Sequence, residues 1–121
     1  MKSNKKILIV EDEYLIRNSL VIILQDLVYK NNIFCAKDGQ EGLELFKKNN
    51  IDIIITDIMM PNMNGIKMVD EIRKIDKDVI IIIISAYKKE LYMMIELYDI
   101  KGYFLKPFVN TKLKHFIKEC L

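Results

Sequence analysis

Five short apolar runs alternate along the chain with stretches of helical spacing, and this alternation constrains the fold more than any other feature. Two of the runs, Ile53–Thr56 and Val79–Ile84, lack the apolar-polar alternation of a half-exposed strand. Unbroken runs of this kind are typical of strands that a parallel sheet buries on both faces. The predicted strands are Ile7–Val10, Ile33–Ala36, Ile53–Thr56, Val79–Ile84 and Tyr103–Leu105.

The stretches between these runs carry apolar residues three and four positions apart, as in helices that cover a sheet. Leu20, Ile23 and Leu24 form one such stripe, and Leu113 and Ile117 begin another. Parallel strands joined by right-handed crossovers place helices on both faces of the sheet. We therefore predict an α/β protein whose five-stranded parallel sheet is doubly wound into a three-layer αβα sandwich.

The composition indicates one globular domain spanning residues 1–121, with 51% hydrophobic and 30% charged residues. The formal net charge is only +2 and the basic residues form no stripe, so we expect no direct nucleic-acid binding. Cys35 and Cys120 lack metal-ligand spacing and are expected to be reduced thiols. The apolar runs are too short to span a bilayer, which together with the thiols predicts a cytoplasmic protein without membrane contact.

Polar residues with related chemistry stand where the predicted strands end. Glu11 and Asp12 follow the first, Asp57 the third, Ser85 the fourth and Lys106 the fifth. Because the carboxyl ends of parallel strands meet at one edge, where open α/β sheets bind ligands, we expect these groups to lie together. The sequence thus predicts a site for a divalent cation and a phosphoryl group.

The three acids explain why a cation is needed. Two carboxylates ~4 Å apart repel by about 4 kcal/mol at an intermediate dielectric, so a close cluster requires neutralisation. Oxygen ligands favour Mg²⁺, for which Mn²⁺ can substitute. Mg²⁺ uses few protein carboxylates, which leaves an oxygen of Asp57 free to attack phosphorus. Lys106 and Ser85 can then bind phosphoryl oxygens.

Four segments resemble the receiver domain of two-component response regulators. They are Leu8–Glu13 (LIVEDE), Thr56–Gly65 (TDIMMPNMNG), Ser85–Ala86 and Gly102–Phe108 (GYFLKPF). Each motif alone is weakly specific, but the four occur in order across nearly the whole chain. The resemblance implies a flavodoxin-like fold of the CheY type.

The resemblance also implies roles for the strand-end residues. Asp57 would be phosphorylated by a histidine kinase or a phosphotransfer protein. Glu11 and Asp12 would hold Mg²⁺ together with Asp57, and the main-chain carbonyl of Met59 would complete the protein ligands. The domain would then switch conformation to control an output domain or a partner, including a second copy of itself.

Further roles concern the response to phosphate. Ser85 and Tyr103 match the switch pair of the family, in which the hydroxyl approaches the phosphoryl group and the ring turns inward. Lys106 would contact the phosphoryl oxygens, and its bond to Pro107 would be cis. One departure from the family lies at Val109, where an Asp commonly caps the last helix, so Asn110 is predicted to cap it instead.

The stretch before the fifth strand gives a candidate interaction surface. At helical spacing, Tyr87, Leu91, Met94, Ile95 and Tyr98 share one face, which should pack on the sheet. Met93 and Leu97 then point outward with Tyr92 on a flank, which indicates a small partner surface. A helix rotated to bury these groups is the alternative.

Other functions were weighed against this interpretation. Singly, each strand-end residue could be a solvated loop residue or a cap, but five coincidences are improbable. A phosphatase with an aspartate nucleophile would need a second Asp where Met59 stands, so we expect no turnover of free substrates. A flavodoxin-like cofactor site conflicts with the acids at Glu11–Glu13, and a pseudo-receiver would lack a site residue. The output, and whether the chain is part of a longer regulator, cannot be read from the sequence.

Overall fold

The computed structural model describes residues 1–121 and contains one parallel sheet with helices on both faces. The strands are β1 (Ile7–Val10), β2 (Ile33–Ala36), β3 (Ile53–Thr56), β4 (Ile80–Ser85) and β5 (Gly102–Leu105). The helices are α1 (Tyr14–Gln25), α2 (Gly39–Lys48), α3 (Gly65–Ile75), α4 (Lys88–Leu97) and α5 (Asn110–Cys120), and Lys30–Asn32 form a short 3-10 helix. The predicted three-layer α/β fold is confirmed.

Successive side chains of the central strands enter two separate cores, as the period of a β-strand requires. In β1, Ile7 and Ile9 pack with α1 and α5, whereas Leu8 and Val10 pack with the other three helices. All four side chains are fully buried. The unbroken apolar runs therefore reflect burial on both faces, as predicted from the sequence.

The order of the strands, β2-β1-β3-β4-β5, places the site. The chain moves outward from β1 to β2, then crosses back past β1 to β3 and continues in the opposite direction through β4 to β5. The carboxyl ends of β1 and β3 are adjacent, with Val10 paired with Thr56. A crevice at such a switch in direction is the usual ligand site of open α/β sheets.

Three predicted strand bounds were wrong by one residue. The fourth strand was expected to begin at Val79 but begins at Ile80 and includes Ser85. Val79 is outside the ladder because its N–H donates to the Asp76 side chain and its carbonyl accepts from Arg73. The fifth strand begins at Gly102, which pairs with Ile82.

The prediction for α4 was partly wrong. Leu91 and Met94 are fully buried, but Tyr87 and Ile95 are 50% and 37% exposed. Tyr87 precedes the first helical residue, and Ile95 lies on the flank of a narrow buried stripe. Tyr98 is half-buried, and its hydroxyl donates to Asp70 Oδ1 on α3 at 3.0 Å.

The predicted cap of α5 was also wrong. Asn110 is the first helical residue, and Val109 occupies the cap position without a side-chain hydrogen bond. By contrast, α2 and α3 are capped by Asp38 and Asn64, whose side chains accept main-chain N–H bonds. None of the helices has both the length and the apolar character that crossing a membrane requires.

Candidate functional site

Lys106 joins two of the strand-end carboxylates. Its Nζ lies 2.8 Å from Asp57 Oδ2, to which it donates a hydrogen bond, and 2.7 Å from Glu11 Oε1. The side chains are 12%, 7% and 0% exposed for Lys106, Asp57 and Glu11, so the three charges are largely shielded from water. The sheet thus brings together Glu11 and Lys106, which lie 95 positions apart in the sequence.

The main chain around Asp57 is held on every side. Its N–H donates to Val10 of β1 at 3.0 Å, and the Thr56 hydroxyl donates to its carbonyl at 2.8 Å. Asp57 Oδ1 accepts the N–H of Ile58 at 2.7 Å. With Oδ2 bound to Lys106, both carboxylate oxygens are oriented before any ligand arrives.

Glu11 carries an unusual buried carboxylate. One oxygen, Oε2, accepts the N–H of Glu13 at 3.1 Å. The other, Oε1, is buried and faces the Lys106 ammonium at 2.7 Å, an ion-pair contact that lacks hydrogen-bond geometry. A buried carboxylate oxygen is costly without a positive charge beside it, and in this structure Lys106 supplies that charge.

The proton affinities follow from burial and charge. Burial raises the pKa of Glu11 to about 7, and the neighbouring Lys106 and the Glu13 N–H offset only part of that rise. Burial acts in the opposite direction on Lys106, but the carboxylates of Asp57 and Glu11 raise its pKa above the ordinary value. Lys106 therefore stays charged at neutral pH, while Glu11 can gain or lose a proton there.

The acidic cluster fits a hard divalent cation. Carboxylate oxygens of Glu11, Asp12 and Asp57 all lie within 4.8 Å of one another. Asp12 is exposed, whereas Glu11 and Asp57 are buried, so the cluster opens to solvent on one side. An all-oxygen donor set that is open to solvent on one side matches the preference of Mg²⁺ for carboxylates and water.

The remaining predicted site residues are Ser85, Tyr103, Met59 and the bond between Lys106 and Pro107. Ser85 is fully buried at the end of β4, and its hydroxyl oxygen accepts the N–H of Tyr87 at 2.9 Å. Tyr103 on β5 is 47% exposed, so its ring lies outward in this structure. Met59, two residues after Asp57, has a side chain exposed to solvent. The peptide bond between Lys106 and Pro107 is cis.

The surface predicted on α4 is exposed. Tyr92, Met93 and Leu97 are 52%, 40% and 64% accessible to solvent. The alternative of a helix rotated to bury them is therefore wrong. Their function as a partner surface is a separate question.

Two structural residues of the site were missed by the sequence analysis. Arg17, on the first turn of α1, donates from Nη1 to the carbonyl of Glu11 at 2.8 Å. Gly65 lies directly against the main chain of Asp57 and Ile58. Gly65 was named only as the last residue of the TDIMMPNMNG motif and Arg17 was not singled out, because both act through main-chain contacts.

Comparison with known proteins identifies the family of the chain. The family described as the response regulator receiver domain matches residues 7–118. The transcriptional regulatory protein HptR of Staphylococcus aureus is 36% identical over 111 residues, which is 90% of this chain and 43% of that protein. The chain thus spans less than half the length of the curated relatives it matches.

Two solved structures extend the comparison to three dimensions. The response regulator TrrA of Thermotoga maritima, in complex with Mg²⁺–BeF, has a TM-score of 0.83 and 35% identity, covering 97% of this chain and 99% of that one. The chemotaxis response regulator CheY4 of Vibrio cholerae has a TM-score of 0.85 and 29% identity, covering 98% and 100%. Sequence and fold agree, and the chain belongs to the receiver domain family of two-component response regulators.

Proposed function

We propose that Asp57 accepts a phosphoryl group from the phosphohistidine of a histidine kinase or a phosphotransfer protein, and that the domain switches conformation in response. The observation that carries this proposal is the convergence on one carboxylate of a lysine and two further acids. Lys106 lies 2.8 Å from Asp57 Oδ2, and the oxygens of Glu11, Asp12 and Asp57 lie within 4.8 Å of each other.

The chemistry requires little beyond positioning and neutralised charge. A carboxylate oxygen of Asp57 attacks phosphorus and forms the acyl phosphate bond. The phosphorus–nitrogen bond of the donor breaks, and the imidazole nitrogen keeps its electron pair and is then protonated from water. The ammonium of Lys106, which already contacts the attacking carboxylate, would bind one phosphoryl oxygen after the transfer. The Ser85 hydroxyl would donate a hydrogen bond to a second phosphoryl oxygen.

The metal ligands in this proposal are Glu11, Asp12, Asp57 and the carbonyl of Met59. Mg²⁺ would neutralise negative charge on the phosphoryl oxygens, and Mn²⁺ would serve in its place. Supporting this, the Thermotoga maritima relative is described with Mg²⁺–BeF, and the donors here are oxygens alone.

A donor protein can reach the site beside Lys106. An open cleft of about 500 Å³ there is lined by Glu13, Ile16, Ala86, Lys106, Pro107 and Phe108. Its apolar walls suit the side chain of a partner that presents a phosphohistidine. The exposed position of Asp12 leaves the same edge accessible to solvent.

The output of the switch would pass through Ser85 and Tyr103 to the surface formed by Tyr92, Met93 and Leu97. An output domain, a partner or a second copy of the chain would bind there after phosphorylation. The curated relatives are more than twice as long as the matched segment, and one is named a transcriptional regulatory protein. Transcriptional control by a longer protein is therefore the output we favour.

We further propose that the domain is not a turnover enzyme on free phosphate esters. Met59 stands two residues after Asp57, and its thioether cannot serve as a general acid or base for product release. A cytoplasmic location fits a kinase partner and the two unpaired cysteines.

The test is phosphorylation by a small donor. The chain is incubated with acetyl phosphate and Mg²⁺, and the acyl phosphate is mapped by mass spectrometry. We expect label on Asp57 and none after chelation of the metal. In Asp12→Asn the labelling rate should fall by about 100-fold, because losing a metal ligand should cost as much as the most severe losses of groups that only orient one. Undiminished label in Asp57→Asn, or label on another residue, would overturn the proposal.

A further inference from the structure

The turn that carries Glu11 and Asp12 lacks the side-chain cap that begins two of the other helices. Helices α2 and α3 begin with a side chain that accepts a main-chain N–H, from Asp38 and Asn64 respectively. Helix α1 has no such bond at Glu13 and no acidic residue in its first turn. The turn leading into α1 therefore has no side-chain cap to hold it, although it bears two of the three clustered acids.

Arg17 supplies the missing restraint. Its Nη1 donates to the carbonyl of Glu11 at 2.8 Å and lies 3.4 Å from the carbonyl of Asp12. One guanidinium thus binds the main chain of both consecutive acids. The Glu11 N–H donates to Ala36 of β2 at 3.0 Å, so this residue is anchored at its amide by the sheet and at its carbonyl by Arg17.

The guanidinium is itself fixed in place. Its central carbon lies 5.6 Å from the centre of the Tyr14 ring, within the range of a cation–π contact. The main-chain N–H of Arg17 donates to the Glu13 carbonyl at 2.9 Å, and this bond joins the first turn of α1 to the same turn. A planar group with several N–H donors can bind two carbonyls at once, which an ammonium on a flexible stem does poorly.

We propose that Arg17 is a positioning residue for the divalent cation: by binding the carbonyls of Glu11 and Asp12, it aligns their carboxylates toward Asp57. This inference rests on the proposed metal site. Residues that orient metal ligands commonly change affinity 10–100-fold when they are removed. A positive charge near a cation acts in the opposite direction, since it repels the metal.

The sign of the effect therefore separates the two roles. If Arg17 positions the acids, Arg17→Ala weakens Mg²⁺ binding, by about 10-fold. If it were merely a neighbouring charge, its removal would tighten binding. Arg17→Lys keeps the charge but not the paired contact, so we expect an affinity between those of the wild type and Arg17→Ala.

The experiment is a titration of the full chain with MgCl₂, followed by amide NMR shifts, in parallel with amide exchange of the metal-free protein. Arg17→Ala should also exchange the Glu13 amide faster, because that N–H is bonded to Glu11 Oε2 across the turn. The matched control is Arg73→Ala. Arg73 likewise donates to main-chain carbonyls, of Asp76 and Val79, but lies away from the acids, so its removal should leave the Mg²⁺ affinity unchanged.

The outcomes separate the positioning role of Arg17 from the metal site itself. Unchanged or tighter Mg²⁺ binding in Arg17→Ala, with the wild type binding normally, overturns the positioning role alone. Unchanged exchange of the Glu13 amide in the metal-free variant does the same, independently of the metal. A wild type that shows no Mg²⁺-dependent shifts at Glu11, Asp12 or Asp57 overturns the metal site and this inference together. The conservative Arg17→Lys protein keeps the test decisive if the alanine variant folds poorly.

Discussion

Gly65, the first residue of α3, packs against the carbonyl group of Asp57, so that any side chain there would collide with the main chain of the candidate phosphorylation site. A Cβ would also come within 3.0 Å of Ile58 Cα. The Gly65 N–H donates to the Ile58 carbonyl at 2.6 Å, which closes the loop after β3. This close approach fixes where Asp57 stands relative to the helix.

We expect Gly65→Ala to lower the free energy of unfolding by about 1–3 kcal/mol, the usual cost of overpacking against groups that cannot move. The control is Gly42→Ala, where the obstacles are side chains and not main chain, namely Met68 Sδ at 2.7 Å and Val10 Cγ2 at 2.9 Å. Alanine is also the better helix former there, by about 1 kcal/mol. Urea denaturation measures the free energy of unfolding of both variants. Equal losses of stability would contradict the expectation that a main-chain obstacle costs more than a side-chain one.

Lys106 is expected to be important for stability as well as for chemistry. Lys106→Met leaves Glu11 and Asp57 buried without their counter-ion, and such a change commonly costs about 3 kcal/mol. Mg²⁺ should restore part of the loss because it supplies the missing positive charge.

The control for Lys106 is a surface ion pair of the same length. Lys114 lies 2.8 Å from Asp26, but the two side chains are 41% and 67% exposed. Lys114→Met should cost less than about 1 kcal/mol, because water screens exposed pairs. Thermal or urea unfolding with and without MgCl₂ compares the two, and similar losses would show that burial of the site contributes little.

The pH dependence of the α2 cap gives another test. Asp38 accepts the Glu41 N–H at 2.8 Å and the Asn62 side-chain amide at 2.7 Å, and these bonds lower the pKa of Asp38 below its ordinary value. Because the folded state favours the charged form, this stabilisation is present above the ordinary Asp pKa of about 4 and is lost as the pH falls through the lower folded value.

Asp38→Ala should therefore cost about 1 kcal/mol at pH near 7 and less at strongly acidic pH. The matched control is Asn64→Ala on α3, whose cap accepts the Lys67 N–H at 3.0 Å and does not titrate. Its cost should stay constant across the same pH range. A cost of Asp38→Ala that does not vary with pH would mean that the charge of Asp38 adds nothing to the cap.

The strands and the strand-end residues were predictable because burial on both faces leaves an unmistakable apolar run. Ile53–Thr56 is an example, and Asp57 follows it directly. The order of the strands was not worked out from the pattern, since local periodicity does not say which strand lies beside which. The start of β4 depended on Arg73 and Asp76, whose side chains form hydrogen bonds with the main-chain carbonyl and N–H of Val79.

Other contacts of the site were beyond the sequence for a similar reason. The role of Arg17 depends on a side chain that folds back onto the preceding turn, and a helical pattern specifies only the face on which a residue lies. The exposure of Ile95 depended on how narrow the contact of α4 with the sheet is. Such details are decided by packing between elements and not by the propensity of either one.

The last prediction concerns transmission from the site to the surface. Ser85 is buried with its hydroxyl bound to the Tyr87 N–H, and the Tyr103 ring is outside. Phosphate on Asp57 adds charge and acceptor oxygens that attract the Ser85 hydroxyl, which would leave space for the ring of Tyr103. The Tyr103→Ala protein should therefore accept phosphate as the wild type does, but its phosphorylation should leave the environment of α4 unchanged.

Beryllofluoride, a phosphoryl mimic, tests this by NMR when it is added with Mg²⁺, and sedimentation detects any dimer. In the wild type we expect shifts around Asp57 and also from Tyr92 to Leu97, whereas in Tyr103→Ala the second group should be largely lost. Tyr29→Ala is the matched control, because Tyr29 and Tyr103 are both 47% exposed and Tyr29 is remote in sequence from β5. If Tyr103→Ala retains the shifts of Tyr92 to Leu97, the ring does not transmit the signal, since a ligand shifts an equilibrium only through groups that differ between its two states.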